Sequence, residues 1–223
     1  MSLLTISIPD PYPIKPMKPK RIILIRHAES EGNADPTVYS QVPDHKIGLT
    51  KKGEHQALAA GAEIAEIIGQ EKIQAYVSPF KRTRQTFEGI TRHIEQNLAD
   101  VREDPRIREQ GFGNLVSMDD AQILLQARAE YGKFYYRPPN GESSADVYDR
   151  ISTFLESMYR AFERDDFPPN ALIVSHGGAL RVFLMRWLRL KVEEYLALDY
   201  ADNCQILILE MDDKGKYQLV RGL

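Results

Sequence analysis

The sequence predicts an α/β fold, with three layers (α/β/α) built around a mostly parallel sheet. Three observations carry the prediction. Short runs of β-formers at 22–25, 73–77 and 171–175 are apolar without interruption, as in strands covered on both faces. Stretches of helical periodicity separate them, which gives βαβ units and parallel pairing. A last apolar run, "CQILILEM", is followed by the turn "DDKGK" and by "YQLV", so a final hairpin forms an antiparallel edge.

The first strand, within "RIILIRHAESEGN" (21–33), ends by delivering Arg26 and His27 side by side before a polar loop. From Leu49 a helix follows. Thr50 is its N-cap, and Leu58, Gly61, Ile64, Ala65 and Ile68 fall on its apolar face. "IQAYV" (73–77) is the second strand, and Ser78–Pro79 signals the start of the next helix. Residues 101–116 read as irregular, with a short extended stretch before Glu109. "DDAQILLQARAEYG" is a helix, and "YRPPNGE" (136–142) is a turn-rich break. Ser143–Asp146 opens a long helix to about Arg164. "ALIVSHGG" is a strand ending at His176 and two glycines, and "ALRVFLMRWLRL" is a helix.

Composition bounds the class. The 223 residues, 43% of them hydrophobic, suffice for one sizeable core, and no Gly/Ser-rich linker divides residues 20–223, which read as a single domain. A formal net charge of −3 gives no basic face for nucleic acid. The lone Cys204, set against "QILIL", reads as a buried core thiol in a reducing compartment. No run of about 18 apolar residues is present to span a membrane. The first nineteen residues hold five of the thirteen prolines and lack a signal-peptide layout, so Ser2–Pro19 is expected to be an extended arm and the protein cytoplasmic.

Ligands of open parallel sheets sit beyond the carboxyl ends of the strands. Three distant segments should therefore meet at one rim: Arg26–His27, Ser78–Arg82 and His176–Gly178. Arg26 and Arg82 offer planar charged forks suited to phosphate oxygens. Gly177 and Gly178 open a helix whose bare N–H groups favour an anion. One histidine with an unprotonated ring nitrogen can attack phosphorus, while the other binds the equatorial oxygens. Lys81 and Arg84 read as solvated helix charges, and His55 and His93 as surface residues. His45 reads as a loop residue.

"RHAESEGN", "SPFKRTRQT" and "SHGG", in this order, resemble the signature of the histidine phosphatase superfamily, the phosphoglycerate-mutase-like enzymes, from about Arg21 to Leu209. The fuller string "RPPNGESSADVYDRI" is similar to fungal and plant members, including a broad-range acid phosphatase. The resemblance implies that His27 is the nucleophile that becomes phosphohistidine. Arg26, Arg82 and His176 then form the phosphate pocket, with Asn33 a further polar contact. Glu109, in "RIREQGFGN", matches the family's proton donor, with Glu103 and Asp104 as competitors. Glu142 and Ser143 are expected on the pocket wall, and 112–142 is expected to form a lid that sets specificity. Ala28 stands where many members carry glycine.

The implied reaction hydrolyses a small-molecule phosphate monoester with no metal and no cofactor. It should have a mildly acidic optimum, because Glu109 must begin protonated and His176 charged. A phosphoglycerate mutase is the nearest alternative, disfavoured because no Arg-Arg pair occurs to grip a second anion. Arg128, Lys133 and Arg137 remain available for one. A catalytically silent phospho-ligand binder is the alternative from another class.

Overall fold

The computed structural model describes residues 19–113 and 118–222; the proline-rich arm and part of the expected lid lie outside them. Six strands form one sheet: β1 (Arg21–Arg26), β2 (Ile73–Val77), β3 (Leu98–Glu103), β4 (Asn170–Ser175), β5 (Ile206–Met211) and β6 (Tyr217–Arg221). Their spatial order is β3-β2-β4-β1-β5-β6. β1, β2, β3 and β4 pair in parallel, while β5 and β6 close the far edge antiparallel, as the final hairpin requires.

The apolar strands earn their central places by filling both faces. Ile22 and Leu24 point to one side with Phe154, Met158 and Phe183, from α5 (Ser144–Phe162) and α6 (Gly177–Leu188). Ile23 and Ile25 point to the other with Ile64, Ile68 and Ile90, from α2 (Lys51–Ile68) and α3 (Lys81–Ile94). The four isoleucine and leucine side chains of β1 are fully buried. Each contributes about 1.5–3 kcal/mol by leaving water. The α2 face centres on Ala57, Ala60, Gly61 and Ile64; Leu58 and Ala65 are only half-buried. Gly61 is required where α2 crosses α3, because a Cβ there would lie 2.8 Å from the Ile90 Cα.

Several elements differ from the sequence reading. β3 begins at Leu98, earlier than the extended stretch expected before Glu109. A short helix, α1 (Glu31–Ala34), sits in the segment read as a polar loop, and another, α7 (Val192–Ala197), in a segment to which the sequence reading assigns no element. The helix expected from "DDAQILLQARAEYG" is α4 (Met118–Tyr131). Cys204 is half-buried in a left-handed conformation (φ 59°), and burial pushes its thiol up to about 12. That thiol stays protonated and inert at neutral pH. Among the described residues, no helix is long and apolar enough to cross a membrane.

Candidate active site

β1 and β4 are neighbours in parallel register, with Arg26 opposite Ser175. The backbone N–H of His27 donates to the Ser175 carbonyl at 2.9 Å, so the two chains leave the sheet together. His27 and His176 follow at the same level, their ring centroids 5.2 Å apart in an edge-on arrangement. β2 completes the trio: Ser78 N–H donates to the Val174 carbonyl, and Ser78 Oγ lies 2.7 Å from His176 Nε2. In the first turn of α3, Arg82 reaches back, only 2% exposed, and donates from Nε to His27 Nε2 at 3.2 Å.

These contacts fix the His27 tautomer. Its Nδ1 lies 2.8 Å from the Ala28 carbonyl, an oxygen that can only accept, so Nδ1 carries the hydrogen and Nε2 keeps a lone pair. Two buried polar atoms next to it have no hydrogen-bond partner among the described residues, Arg26 Nε and His176 Nδ1. Buried polar atoms without partners are uncommon in folded proteins. Finding two together suits a site that receives an oxygen-rich group. Arg26 is held from its other end by Nη1, which donates to the Ala201 carbonyl at 2.7 Å.

Glu109 approaches from the segment after β3. Its carboxylate accepts from the backbone N–H groups of Gly178 and Ala179, both at 3.2 Å, and so caps the first turn of α6. A Cβ at 178 would meet Glu109 Oε1 at 2.7 Å, so a larger residue there would push this carboxylate aside. The expected glycine cradle for an anion is therefore filled, at Gly178, by the protein's own carboxylate. Gly177 faces Tyr200 and Arg26 instead. Arg26, His27, Asn33, Arg82 and Glu109 line one cavity of about 780 Å³, together with Tyr39, Asp44 and Phe112. The competing carboxylates are engaged elsewhere: Glu103 pairs with Arg84, and Asp104 caps the turn at Pro105 and pairs with Arg106.

Glu142 and Ser143 do not line this cavity. Ser143 is the N-cap of α5, exchanging hydrogen bonds with Asp146. Glu142 accepts from Arg108, from Arg150 and from the Gly111 N–H. Arg150 in turn donates to the carbonyls of Arg106, Arg108 and Glu109. Glu142 thus holds the loop that carries Glu109, and does so through a half-buried ion pair. Glu142→Ala leaves Arg150 without its counter-charge. It should lower stability by about 2–4 kcal/mol in urea unfolding and reduce kcat more than it raises KM.

Four positioning residues have no role assigned to them in the sequence reading, although Ser78 and Thr86 lie in the motif "SPFKRTRQT". Ser78 touches His176, and Asp44 pairs with Arg82 Nη1. Asn203 donates to the His27 carbonyl and to Asn33 Oδ1. Thr86 Oγ1 accepts from the Ala28 N–H.

Burial, reinforced by the Arg82 charge, holds both His27 and His176 well below the usual histidine range. The same causes work against the charged His176 that the sequence reading expects while the cavity holds no anion. An unfolded histidine titrates near 6.5, so between that value and the lower folded value the unfolded chain binds more protons. Stability is therefore full above about pH 6.5 and falls as pH drops below it, by up to about 1.4 kcal/mol per pH unit for each ring. Urea titrations at pH 7, 6 and 5 should show that slope. Added phosphate should flatten it, because an anion supports the charged rings.

Residues 22–221 match the model of the histidine phosphatase superfamily (branch 1). The chain belongs to this superfamily. It is 42% identical over 219 residues to phosphoglycerate mutase-like protein AT74H of Arabidopsis thaliana, covering 91% of this chain and 78% of that one. With the broad-range acid phosphatase DET1 of Saccharomyces cerevisiae it shares 29% over 297 aligned positions, 92% of this chain and 89% of the yeast protein. Mycobacterial glucosyl-3-phosphoglycerate phosphatase, solved with VO3, superposes on this histidine phosphatase with a TM-score of 0.67. That pair shares 25% identity, over 91% of this chain and 98% of the other.

Proposed function

We propose that this histidine phosphatase is a phosphomonoesterase acting through a phosphohistidine on His27. The single observation that carries the reading is the His27 ring. Its Nδ1–H is tied to a carbonyl, its Nε2 carries the lone pair and accepts from Arg82, and the residue lines a cavity shared with Arg26, Arg82 and Glu109. His27 Nε2 attacks the phosphorus of a monoester while Glu109, protonated, gives its proton to the leaving oxygen. The P–O bond breaks and the alcohol departs. Water then attacks the phosphohistidine, Glu109 takes the water's proton, and inorganic phosphate leaves.

On this reading the equatorial oxygens bind the Arg82 guanidinium and the two unpartnered buried atoms beside His27, Arg26 Nε and His176 Nδ1. Ser78 Oγ lies 2.7 Å from His176 Nε2; in the tautomer proposed here Nε2 accepts from Ser78 and His176 presents Nδ1–H as a donor. Asn33 adds a polar edge at the mouth. Burial and the Arg82 charge hold His27 well below the usual histidine range, which favours the unprotonated nucleophile as pH falls.

Rapid acid-free quenching with a ³²P-labelled aryl phosphate should trap one alkali-stable, acid-labile label, absent from His27→Ala. Absence of label in the active wild type removes the covalent route. Measuring phosphate release alongside 3- to 2-phosphoglycerate conversion separates hydrolysis from mutase transfer. Release without conversion is expected.

A further inference from the structure

A second cavity, of about 320 Å³, lies one turn along α6 from the candidate active site. Gly177 and Arg181 are four residues apart and share one helix face, about 6 Å apart along the axis. Tyr200 packs 3.1 Å from where a Gly177 Cβ would be, and it also lines the second cavity, so it is part of the wall between the two. Arg128 contributes to the same partition: it lines the second cavity, and its guanidinium lies 5.8 Å over the Phe112 ring, which lines the first.

The second cavity is built around a buried cation. Arg181 is 6% exposed, with its guanidinium 4.7 Å from the Tyr195 ring and 4.2 Å from the Tyr200 ring. Nη2 donates to the Tyr195 carbonyl at 2.8 Å, and Nε, fully buried, has no acceptor among the described residues. Arg128 and Lys133 add two more positive charges against one lining carboxylate, Asp199. The Lys133 ammonium has no acceptor among the described residues. A guanidinium fixed between two rings has its faces covered, and its free edge is available only for in-plane hydrogen bonds. An isolated buried charge is costly, and an oxyanion is the partner that its geometry accepts.

We infer that the cavity of Arg181, Arg128 and Lys133 is a second oxyanion-binding site, taking a phosphate or carboxylate group separate from the one that reacts. It stands on its own contacts and does not depend on the phosphohistidine reading. The anion is either borne by the far end of the substrate or supplied by a separate small molecule.

Calorimetric titration of the full chain with inorganic phosphate tests the site. Two binding events are expected. Lys133→Glu, on an exposed side chain, should weaken one of them about tenfold or more and leave turnover of a plain aryl phosphate unchanged. Arg181→Met should remove the same event. Phosphate binding that neither substitution alters overturns the site. A failure of the proposed reaction looks different: the event sensitive to Lys133→Glu persists, and the one sensitive to Arg82→Ala is missing.

Steady-state kinetics then identifies the source. A KM raised about tenfold by Lys133→Glu for an ester with a second anionic group, with the plain ester unchanged, assigns the anion to the substrate. Unchanged KM for both esters, with the phosphate event lost, assigns it to a separate molecule.

Discussion

His27→Ala is expected to abolish turnover, lowering kcat on the order of ten-thousandfold or more. The size follows from the role: without the ring, the covalent step has no nucleophile, and the remaining donors can only bind. Binding should survive, because Arg26 and Arg82 still line the cavity without it. Equilibrium dialysis with phosphate or vanadate should return an affinity within about tenfold of wild type. The variant should also fold. His27 is 3% exposed, its burial works against its charged form, and alanine removes that penalty at the expense of a small cavity. Its stability should consequently fall less steeply between pH 7 and 5 than that of wild type. Near-normal turnover by this variant, assayed free of contaminating phosphatase, sinks the covalent route.

Arg82→Ala is expected to reduce kcat/KM a hundredfold or more. Three losses coincide. A permanently charged donor disappears from the cavity, the Nε hydrogen bond that aims His27 is broken, and Asp44 loses its partner. A structural role alone would also lower activity, so the pH profile is the sharper measurement. Arg82 helps to hold His27 low, and without it the ring's value rises toward 6.5. The acidic limb of the kcat/KM profile should therefore move to higher pH as the nucleophile becomes protonated earlier. Arg82→Lys keeps the charge and loses the fork. It should restore the limb's position more fully than the rate. A limb that stays in place in Arg82→Ala separates Arg82 from His27 chemistry.

Which parts of this molecule were legible in its sequence follows from the range of the interactions involved. Strands β1, β2 and β4 announce themselves because full burial on both faces demands unbroken apolar runs. The rim position of Arg26, Arg82 and His176 then follows from parallel topology alone. Short α1 and α7 have too few residues to show a periodicity. The roles of Ser78, Asp44, Asn203 and Arg150 depend on partners 38 to 176 residues away, and a local window contains no trace of such pairings. Glu142 was misplaced for the same reason. It lies beside the right segment, and its charge is spent on Arg150 and Arg108. The glycines of "SHGG" were read as an anion cradle because a bare helix start favours any negative group. The sequence alone does not reveal that this group is Glu109.

The parallel pairing of Arg26 with Ser175 has a consequence for how activity returns after denaturation. A strand misaligned by one position turns each side chain to the opposite face, which would send one imidazole away from the other. The two segments are separated by most of the chain, so their alignment is among the slower events of folding. Hydrolysis regained after dilution from urea should trail the recovery of helical circular dichroism and keep time with amide protection in the middle of the sheet.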